Sequence, residues 1–254
     1  MIFFVFITVL IVTPSFDATS QDKGDFDFSR TFLEANRLFN QGKYEEAASL
    51  YELLTTKIEN GDIYYNLGNA YLKSGRLGEA ILSYRNAQIY MPRNEDLKAN
   101  IEYARQLTKD KIEKKTGYSL LNTICFWYDD FNLREVFFSF LIANGIFWTI
   151  ALLRIWFRNE FFYWSFLVSF IFLIVIGLTL GAKIYNTFYS KEGVITNKEV
   201  AVRSGNGLNN TVLFYLHEGA EFKLLSRNGS WIKIELPDGK KGWVQRKFVG
   251  IVGE

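Results

Sequence analysis

Two residue types that build reactive or metal-binding sites are almost missing from this chain, which has one cysteine, Cys125, and one histidine, His217. A single cysteine cannot form an intramolecular disulfide, and it says little about the redox compartment. A zinc site or a Cys/His nucleophilic pair would need both residues to meet. They stand on opposite sides of the most apolar part of the chain. We therefore expect neither a catalytic nor a metal-binding role for either residue.

Charge is close to balanced, with 29 lysines and arginines against 27 aspartates and glutamates and a net charge of +2. Nucleic-acid binding is usually accompanied by a strongly basic surface, so no nucleic-acid partner is expected. The sequence also lacks a glycine-rich phosphate loop and a metal-ligand cluster, and its adjacent acidic pairs are typical of solvated faces. These absences predict a protein that is not an enzyme and carries no cofactor.

The first 20 residues are expected to be a secretory signal. Ile2–Val12 is an unbroken apolar run, and three small residues precede Gln21. The run is too short to span a bilayer comfortably, which favours a signal peptide, residues 1–20, cleaved after Ser20. Because no lysine or arginine precedes the run, an uncleaved anchor stays open as the alternative. Either form would export the chain from Gln21 onward.

The most informative pattern is the spacing of small and aromatic residues from Gly61 to Asn94. Small residues stand where two antiparallel helices must approach closely, large residues fill the space between the helices, and a proline follows the second helix. The residues concerned are Tyr64, Leu67, Gly68, Tyr71, Ala80, Tyr84, Ala87 and Pro92. At this spacing they resemble a tetratricopeptide repeat, a helical hairpin whose stacked copies form binding scaffolds.

One such repeat cannot bury both of its faces, so neighbouring units are expected. An offset of 33 residues places Ala35 on the position of Gly68, and residues 29–60 are therefore predicted to form a degenerate first repeat. A helical stripe after the second repeat predicts a capping helix. Its members are Leu97, Ile101, Ala104 and Leu107. We expect an all-α tetratricopeptide repeat domain at residues 25–108.

Two long runs without a charge lie in the middle of the chain. Val136–Leu153 and Phe161–Ala182 are each close to the roughly 20 residues that a membrane-spanning helix needs. The predicted transmembrane helices are residues 135–157 and 161–183. The short connection between them leaves room only for a tight turn, so we expect an antiparallel hairpin with both soluble ends on one side. Two arginines in that turn favour its cytoplasmic placement.

Residues 109–134 are predicted to be a linker with an interfacial segment. Four lysines between Thr108 and Lys115 are followed by the apolar stretch Leu120–Trp127. This order favours a helix that lies in the membrane surface. An ordinary solvated helix end would explain the lysines equally well, and that alternative stays open.

From Gly193 the periodicity changes to short β-rich runs separated by turn residues. In residues 232–236 every second residue is apolar, as a half-buried strand requires, and Asn228 with Gly229 suits a tight hairpin. Five strands are predicted. They are Glu199–Arg203, Thr211–Leu216, Glu221–Leu225, Trp231–Leu236 and Gly242–Gln245. Five short strands of this kind form a small all-β barrel.

Three short motifs stand out in this tail. They are Val202-Arg203-Ser204-Gly205, Leu216-His217-Glu218-Gly219 and Gly242-Trp243-Val244. Together they resemble a bacterial SH3 domain, which is expected at residues 192–254. His217 lies inside a motif and is interpreted as a turn or rim residue. Trp231 and Trp243 are candidates for a ligand-binding groove in this domain, with a position in the core as the alternative.

The order of these parts, an export signal, paired repeats, a membrane hairpin and an SH3-like barrel, resembles the BatE-type proteins of the Bacteroides aerotolerance (Bat) system. The resemblance covers essentially the whole chain. It implies a bacterial inner-membrane protein with both soluble domains in the periplasm. It also implies protein partners, namely other Bat-type proteins with von Willebrand A-like domains, and a MoxR-type ATPase encoded in the same gene cluster. We expect a non-enzymatic adaptor whose barrel holds a second ligand. The alternative is an envelope sensor that binds peptidoglycan.

The predicted partner-binding surface is the concave face of the repeats, which the first helix of each repeat lines. The register of the repeats places six residues there. They are Asn36, Asn40, Tyr65, Asn66, Asn69 and Lys73. Asparagine amides donate and accept hydrogen bonds and so suit the backbone of an extended peptide, while Lys73 suits a carboxylate. The alternative is that these are simply exposed polar residues.

Overall fold

The computed structural model of the chain describes residues 27–112 and 127–254. The predicted signal peptide lies outside the described residues, as does the predicted interfacial stretch apart from Trp127. The helices are α1 (Phe28–Asn40), α2 (Tyr44–Thr55), α3 (Gly61–Lys73), α4 (Leu77–Tyr90), α5 (Glu95–Leu107), α6 (Leu133–Trp156) and α7 (Glu160–Tyr189). The strands are β1 (Glu192–Ile195), β2 (Glu199–Arg203), β3 (Val212–His217), β4 (Glu221–Asn228), β5 (Trp231–Glu235), β6 (Lys241–Gln245) and β7 (Val249–Ile251), with a short 3-10 helix at Arg246–Phe248.

Helices α1 to α4 form two hairpins that turn in the same way. Gly42 and Gly75 follow the first helix of each hairpin and have φ angles of 79° and 80°. The N–H of the next residue donates to the carbonyl five residues earlier, from Lys43 to Leu38 and from Arg76 to Tyr71. This pattern ends a helix at a residue in the left-handed conformation, which glycine adopts without strain.

Small residues set the spacing between the paired helices. A Cβ added to Gly68 would lie 2.5 Å from the Tyr84 ring, so only glycine fits this contact between α3 and α4. Ala35 holds the equivalent position in the first hairpin and is fully buried, as is Tyr51 at the position of Tyr84. The helical repeat architecture predicted from the residue spacing is therefore confirmed.

The capping helix is α5, which buries three of the four predicted stripe residues, Leu97, Ile101 and Ala104. Leu107 was expected to continue this stripe, but it is 51% exposed at the last turn of the helix. The side chain of Asn94 begins α5 by accepting a hydrogen bond from the Leu97 N–H. Pro92 stands just before this cap, two residues after the end of α4.

Helices α6 and α7 form an antiparallel pair that is long and apolar enough to cross a membrane by length and composition. At 1.5 Å per residue, the 24 residues of α6 and the 30 of α7 extend about 36 Å and about 45 Å. The predicted hairpin is present. Its second helix runs six residues beyond the predicted end at residue 183 and reaches Tyr189.

The β domain confirms the predicted all-β fold, and the five predicted strands are present as β2 to β6. Its sheet contains seven strands, so the predicted count was too low by two. The strand order is β3-β2-β6-β5-β4-β1-β7, and all pairs are antiparallel. The two missed strands, β1 and β7, pair with each other and pack against α4. β1 buries three consecutive residues and so lacks the alternation on which the prediction relied. β7 does alternate, but with three residues it is too short for the pattern to be recognised.

We expect Gly68→Ala to destabilise the repeats by about 1–3 kcal/mol, because the added methyl group overpacks the contact with Tyr84. Thermal unfolding of the detergent-solubilised chain measures the effect. Ser49→Ala, at an exposed position in α2, is the control and should stay within about 0.5 kcal/mol of the unmodified chain. An unchanged melting profile for Gly68→Ala would contradict the close packing of α3 on α4.

Candidate binding surfaces of the repeats and the β domain

The same tyrosine and asparagine pair occurs in both repeats. The Tyr51 hydroxyl donates to Oδ1 of Asn36 at 2.5 Å, and the Tyr84 hydroxyl donates to Oδ1 of Asn69 at 2.8 Å. In each repeat the tyrosine comes from the second helix and the asparagine from the first. Two of the predicted groove residues are thus held in place by hydrogen bonds, and they are not merely exposed polar side chains.

Both tyrosine hydroxyls are protonated at neutral pH, and burial raises their pKa further. Burial raises the pKa of Tyr51 to about 12, and it also raises the pKa of Tyr84. A protonated hydroxyl beside an amide oxygen acts as the donor, so each asparagine oxygen is the acceptor of an internal bond. The NH2 group is then the part of each amide that can be offered to a ligand.

A third asparagine, Asn100 of α5, extends this row and was missed in the sequence analysis. Its amide nitrogen donates to Oδ1 of Asn69 at 3.0 Å and to the Tyr65 hydroxyl at 3.2 Å. Asn100 lies one residue before Ile101 of the predicted capping stripe, so extending the repeat register into α5 would have found it. The contact links the face of the second repeat to that of the capping helix.

The other predicted groove residues differ in exposure. Asn40 and Lys73 are exposed at the ends of α1 and α3, whereas Tyr65 and Asn66 are half-buried. The Tyr65 ring lies 6.1 Å from that of Tyr84. Tyr65 therefore contributes to packing as well as to the face, and the binding role of all six residues remains a prediction.

Trp231 and Trp243 lie on the same side of the sheet. Core residues Ile232, Ile234 and Val244 occupy the other side of β5 and β6 and are fully buried. Lys233 pairs with Trp243 across the strands, which puts both tryptophans and this lysine on the outer face of the sheet. Trp231 is 9% exposed and Trp243 is half-buried.

His217 ends β3 beside the segment that follows α5. Its backbone N–H donates to Oδ2 of Asp110 at 2.6 Å, and its Nδ1 lies 2.9 Å from the other oxygen of the same carboxylate. Nε2 is 2.8 Å from Nζ of Lys109. These contacts fit the interpretation of His217 as a residue at the rim of the domain.

Two domain families match parts of this chain. Residues 61–94 match the tetratricopeptide repeat, and residues 198–250 match the bacterial SH3 domain. The first range is the second repeat, and the second extends from just before β2 into β7.

Two known proteins are similar to parts of the chain. A putative N-acetylmuramoyl-L-alanine amidase, YrvJ of Bacillus subtilis, is 32% identical over 78 residues, which are 29% of this chain and 15% of that protein. That similarity falls in the SH3 region. The peptidyl-prolyl cis-trans isomerase CYP7 of Saccharomyces cerevisiae is 35% identical over 82 residues, which are 30% of this chain and 21% of that protein.

This chain thus spans a minor part of the length of either relative. The chain shares with each relative a region about the size of one domain. The folded parts and the family matches agree, and the chain carries tetratricopeptide repeats and a bacterial SH3 domain on either side of two long apolar helices.

Proposed function

We propose that this protein is a non-enzymatic membrane adaptor that binds a protein partner on the face formed by α1, α3 and α5. The observation that carries the proposal is the repeated tyrosine and asparagine pair. In each repeat the hydroxyl occupies the amide oxygen and leaves the NH2 group as the donor for a ligand, at equivalent places in two repeats. Such donors suit the backbone carbonyls of an extended peptide. Exposed Lys73, at the end of α3, adds a positive charge for a carboxylate.

The cellular setting follows from the order of the domains. We place the protein in the bacterial inner membrane, with the repeats and the SH3 domain both periplasmic, as part of a Bat-type envelope or oxidative-stress system. Its partners would be other Bat-type proteins with von Willebrand A-like domains. The hairpin of α6 and α7 supports this placement, because its antiparallel helices return the chain to the side from which it entered.

Peptidoglycan binding is the second candidate function, and one observation favours it. The SH3 region is similar to part of an amidase whose name specifies the N-acetylmuramoyl-L-alanine bond, a linkage of peptidoglycan. The outer face of β5 and β6 carries half-buried Trp243 beside Lys233, whereas Trp231 on the same side is buried. Aromatic rings pack against sugar rings, and a lysine can pair with the carboxylates of stem peptides.

We expect Asn36→Asp together with Asn69→Asp to abolish partner capture. Aspartate keeps an oxygen for the tyrosine hydroxyl but removes the NH2 donor and adds negative charge. The measurement is photo-crosslinking in cells from a benzoylphenylalanine placed at Asn66, which should give an adduct with an adjacent protein only when both asparagines are present.

The matched control is Tyr51→Phe with Tyr84→Phe, which removes the hydroxyls and leaves the amides. It should weaken the adduct less than the double aspartate variant does, because the amides keep their NH2 donors and lose only the hydroxyls that orient them. The lost hydrogen bonds should cost about 1–3 kcal/mol in stability. Adducts from a crosslinker at Ser49 of α2, and none from Asn66, would instead place the partner on the other face of the repeats.

We expect Trp243→Ala to weaken sedimentation of the solubilised chain with purified sacculi by about fivefold or more, because a stacked aromatic contact contributes roughly 1 kcal/mol. Tyr103→Ala is the control, since Tyr103 is an aromatic residue 55% exposed on α5, outside the β domain. If the unmodified chain does not sediment with sacculi, the peptidoglycan function fails and the adaptor function is untouched.

Topology can be read from single cysteines in a Cys125→Ser background. Ser49→Cys in the repeats and Leu208→Cys in the SH3 domain should both react with a membrane-impermeant maleimide in intact spheroplasts, since both positions are exposed. Arg158→Cys, in the turn between α6 and α7, should react only after permeabilisation. Labelling of Arg158→Cys in intact spheroplasts, with protection of the other two, would reverse the proposed orientation.

A further inference from the structure

We infer that the SH3 domain binds the repeats of its own chain, through a surface formed by β1, β7 and the β3–β4 turn, and that the two domains fold as one cooperative unit. The repeats and the β domain each have a buried core cluster, so this coupling adds to the packing within each domain. The contact lies on the outer side of α4, away from α3. We call it the α4 interface, and it is independent of the binding roles proposed above.

The apolar part of the α4 interface is closely packed. Ile81 of α4 is fully buried although it does not face α3, and Val194 of β1 belongs to the same buried cluster as the repeat core. A Cβ on Gly78 would lie 2.5 Å from the carbonyl oxygen of Ile195, and one on Gly250 of β7 would collide with Leu82. Backbone of the β domain therefore rests directly on the helix.

Charged groups close one edge of the interface. Glu221 of β4 accepts two hydrogen bonds from Arg105 of α5, at 2.5 and 2.9 Å. Nε of Arg85 in α4 lies 3.3 Å from the same carboxylate, and its NH2 group also pairs with Glu192 of β1. The Glu221 side chain is 22% exposed, so one carboxylate joins two helices of the repeats to the sheet in a partly desolvated site.

Two further edges of the α4 interface are formed by the segment after α5 and by the end of the chain. Thr108 is buried against the β3–β4 turn, where a Cβ on Gly219 would lie 2.6 Å from its methyl carbon. Asp110 accepts the backbone N–H of His217, at the end of β3. On the other side, buried Asn86 of α4 accepts the N–H of Gly253 at 2.9 Å. The interface thus combines apolar packing with polar contacts that are paired.

Gly78→Ala tests the α4 interface, because docked domains and separate domains predict opposite changes in the rate of amide exchange. Inside a solvated helix, alanine is more favourable than glycine, and Gly78→Ala would slow amide exchange in α4 by about two- to fivefold if the domains were separate. If the α4 interface exists in solution, the added methyl group meets the β1 backbone, and exchange should accelerate in α4, β1 and β7 together. Hydrogen exchange of the full solubilised chain, followed by mass spectrometry, measures each segment.

Glu221→Ala tests the charged edge, with Glu254→Ala as the matched control. Glu254 also pairs with two arginines, Arg227 and Arg246, at 28% exposure, but all three residues lie within the β domain. We expect Glu221→Ala to accelerate exchange by tenfold or more, an order-of-magnitude effect, in α4 and α5 as well as in β4. Glu254→Ala should change only the β domain.

The inference is overturned if Gly78→Ala slows exchange in α4. It is also overturned if amide exchange in α4 and α5 is as slow in Glu221→Ala as in Glu254→Ala. Unfolding of the β domain alone in Glu221→Ala would be one such result. Because the readout uses no ligand, these outcomes are distinct from a failure of partner or peptidoglycan binding.

Discussion

Helix α4 is packed on two opposite sides, and the arrangement of both soluble domains depends on that double packing. Toward α3 it presents Ala80 and Tyr84, and toward the β domain it presents Gly78 and Ile81. Seven of its 14 residues are buried, against two of 13 in α1, which has only one packed side. A surface helix normally keeps a polar face toward water. The small residues on both sides of α4 instead allow close approach by a helix and by a sheet.

The same soluble unit also contacts the hairpin of α6 and α7. Arg93, just after α4, pairs with Glu135 in the first turn of α6 at 2.6 Å, and the Asn132 cap of that helix lies within 3.5 Å of the Tyr90 carbonyl. At the other end, α7 reaches Tyr189 and β1 begins at Glu192. A binding face on α1, α3 and α5 would therefore keep a constant orientation relative to α6 and α7, which the proposed adaptor role would use to align a partner.

Sequence reasoning succeeded where the information is local. The repeats follow from residue sizes such as Gly68 opposite Tyr84, and the hairpin follows from the length of two apolar runs. It failed where the contacting residues are far apart in the sequence, or where the element is too short to show a period. The α4 interface joins Arg105 to Glu221, 116 positions apart, and no spacing rule links them. Strand β7 has three residues, too few to show a period. Asn36 and Asn69 were recognised as polar groove residues, but the hydroxyls that orient their amides come from another helix.

Docking on α4 and the ligand binding proposed for the SH3 domain would use different parts of one sheet. In the strand order β3-β2-β6-β5-β4-β1-β7, the strands that meet α4 are the last two, while Trp231 and Trp243 stand on β5 and β6. The charged contact at Glu221 lies on the intervening strand β4 and faces the repeats. Because the two surfaces share no residue, the domain can stay docked and still present its tryptophan face. A rigid pair of domains with separate faces would let the protein hold two ligands at a constant separation, and no hinge between the domains is then needed for the adaptor role.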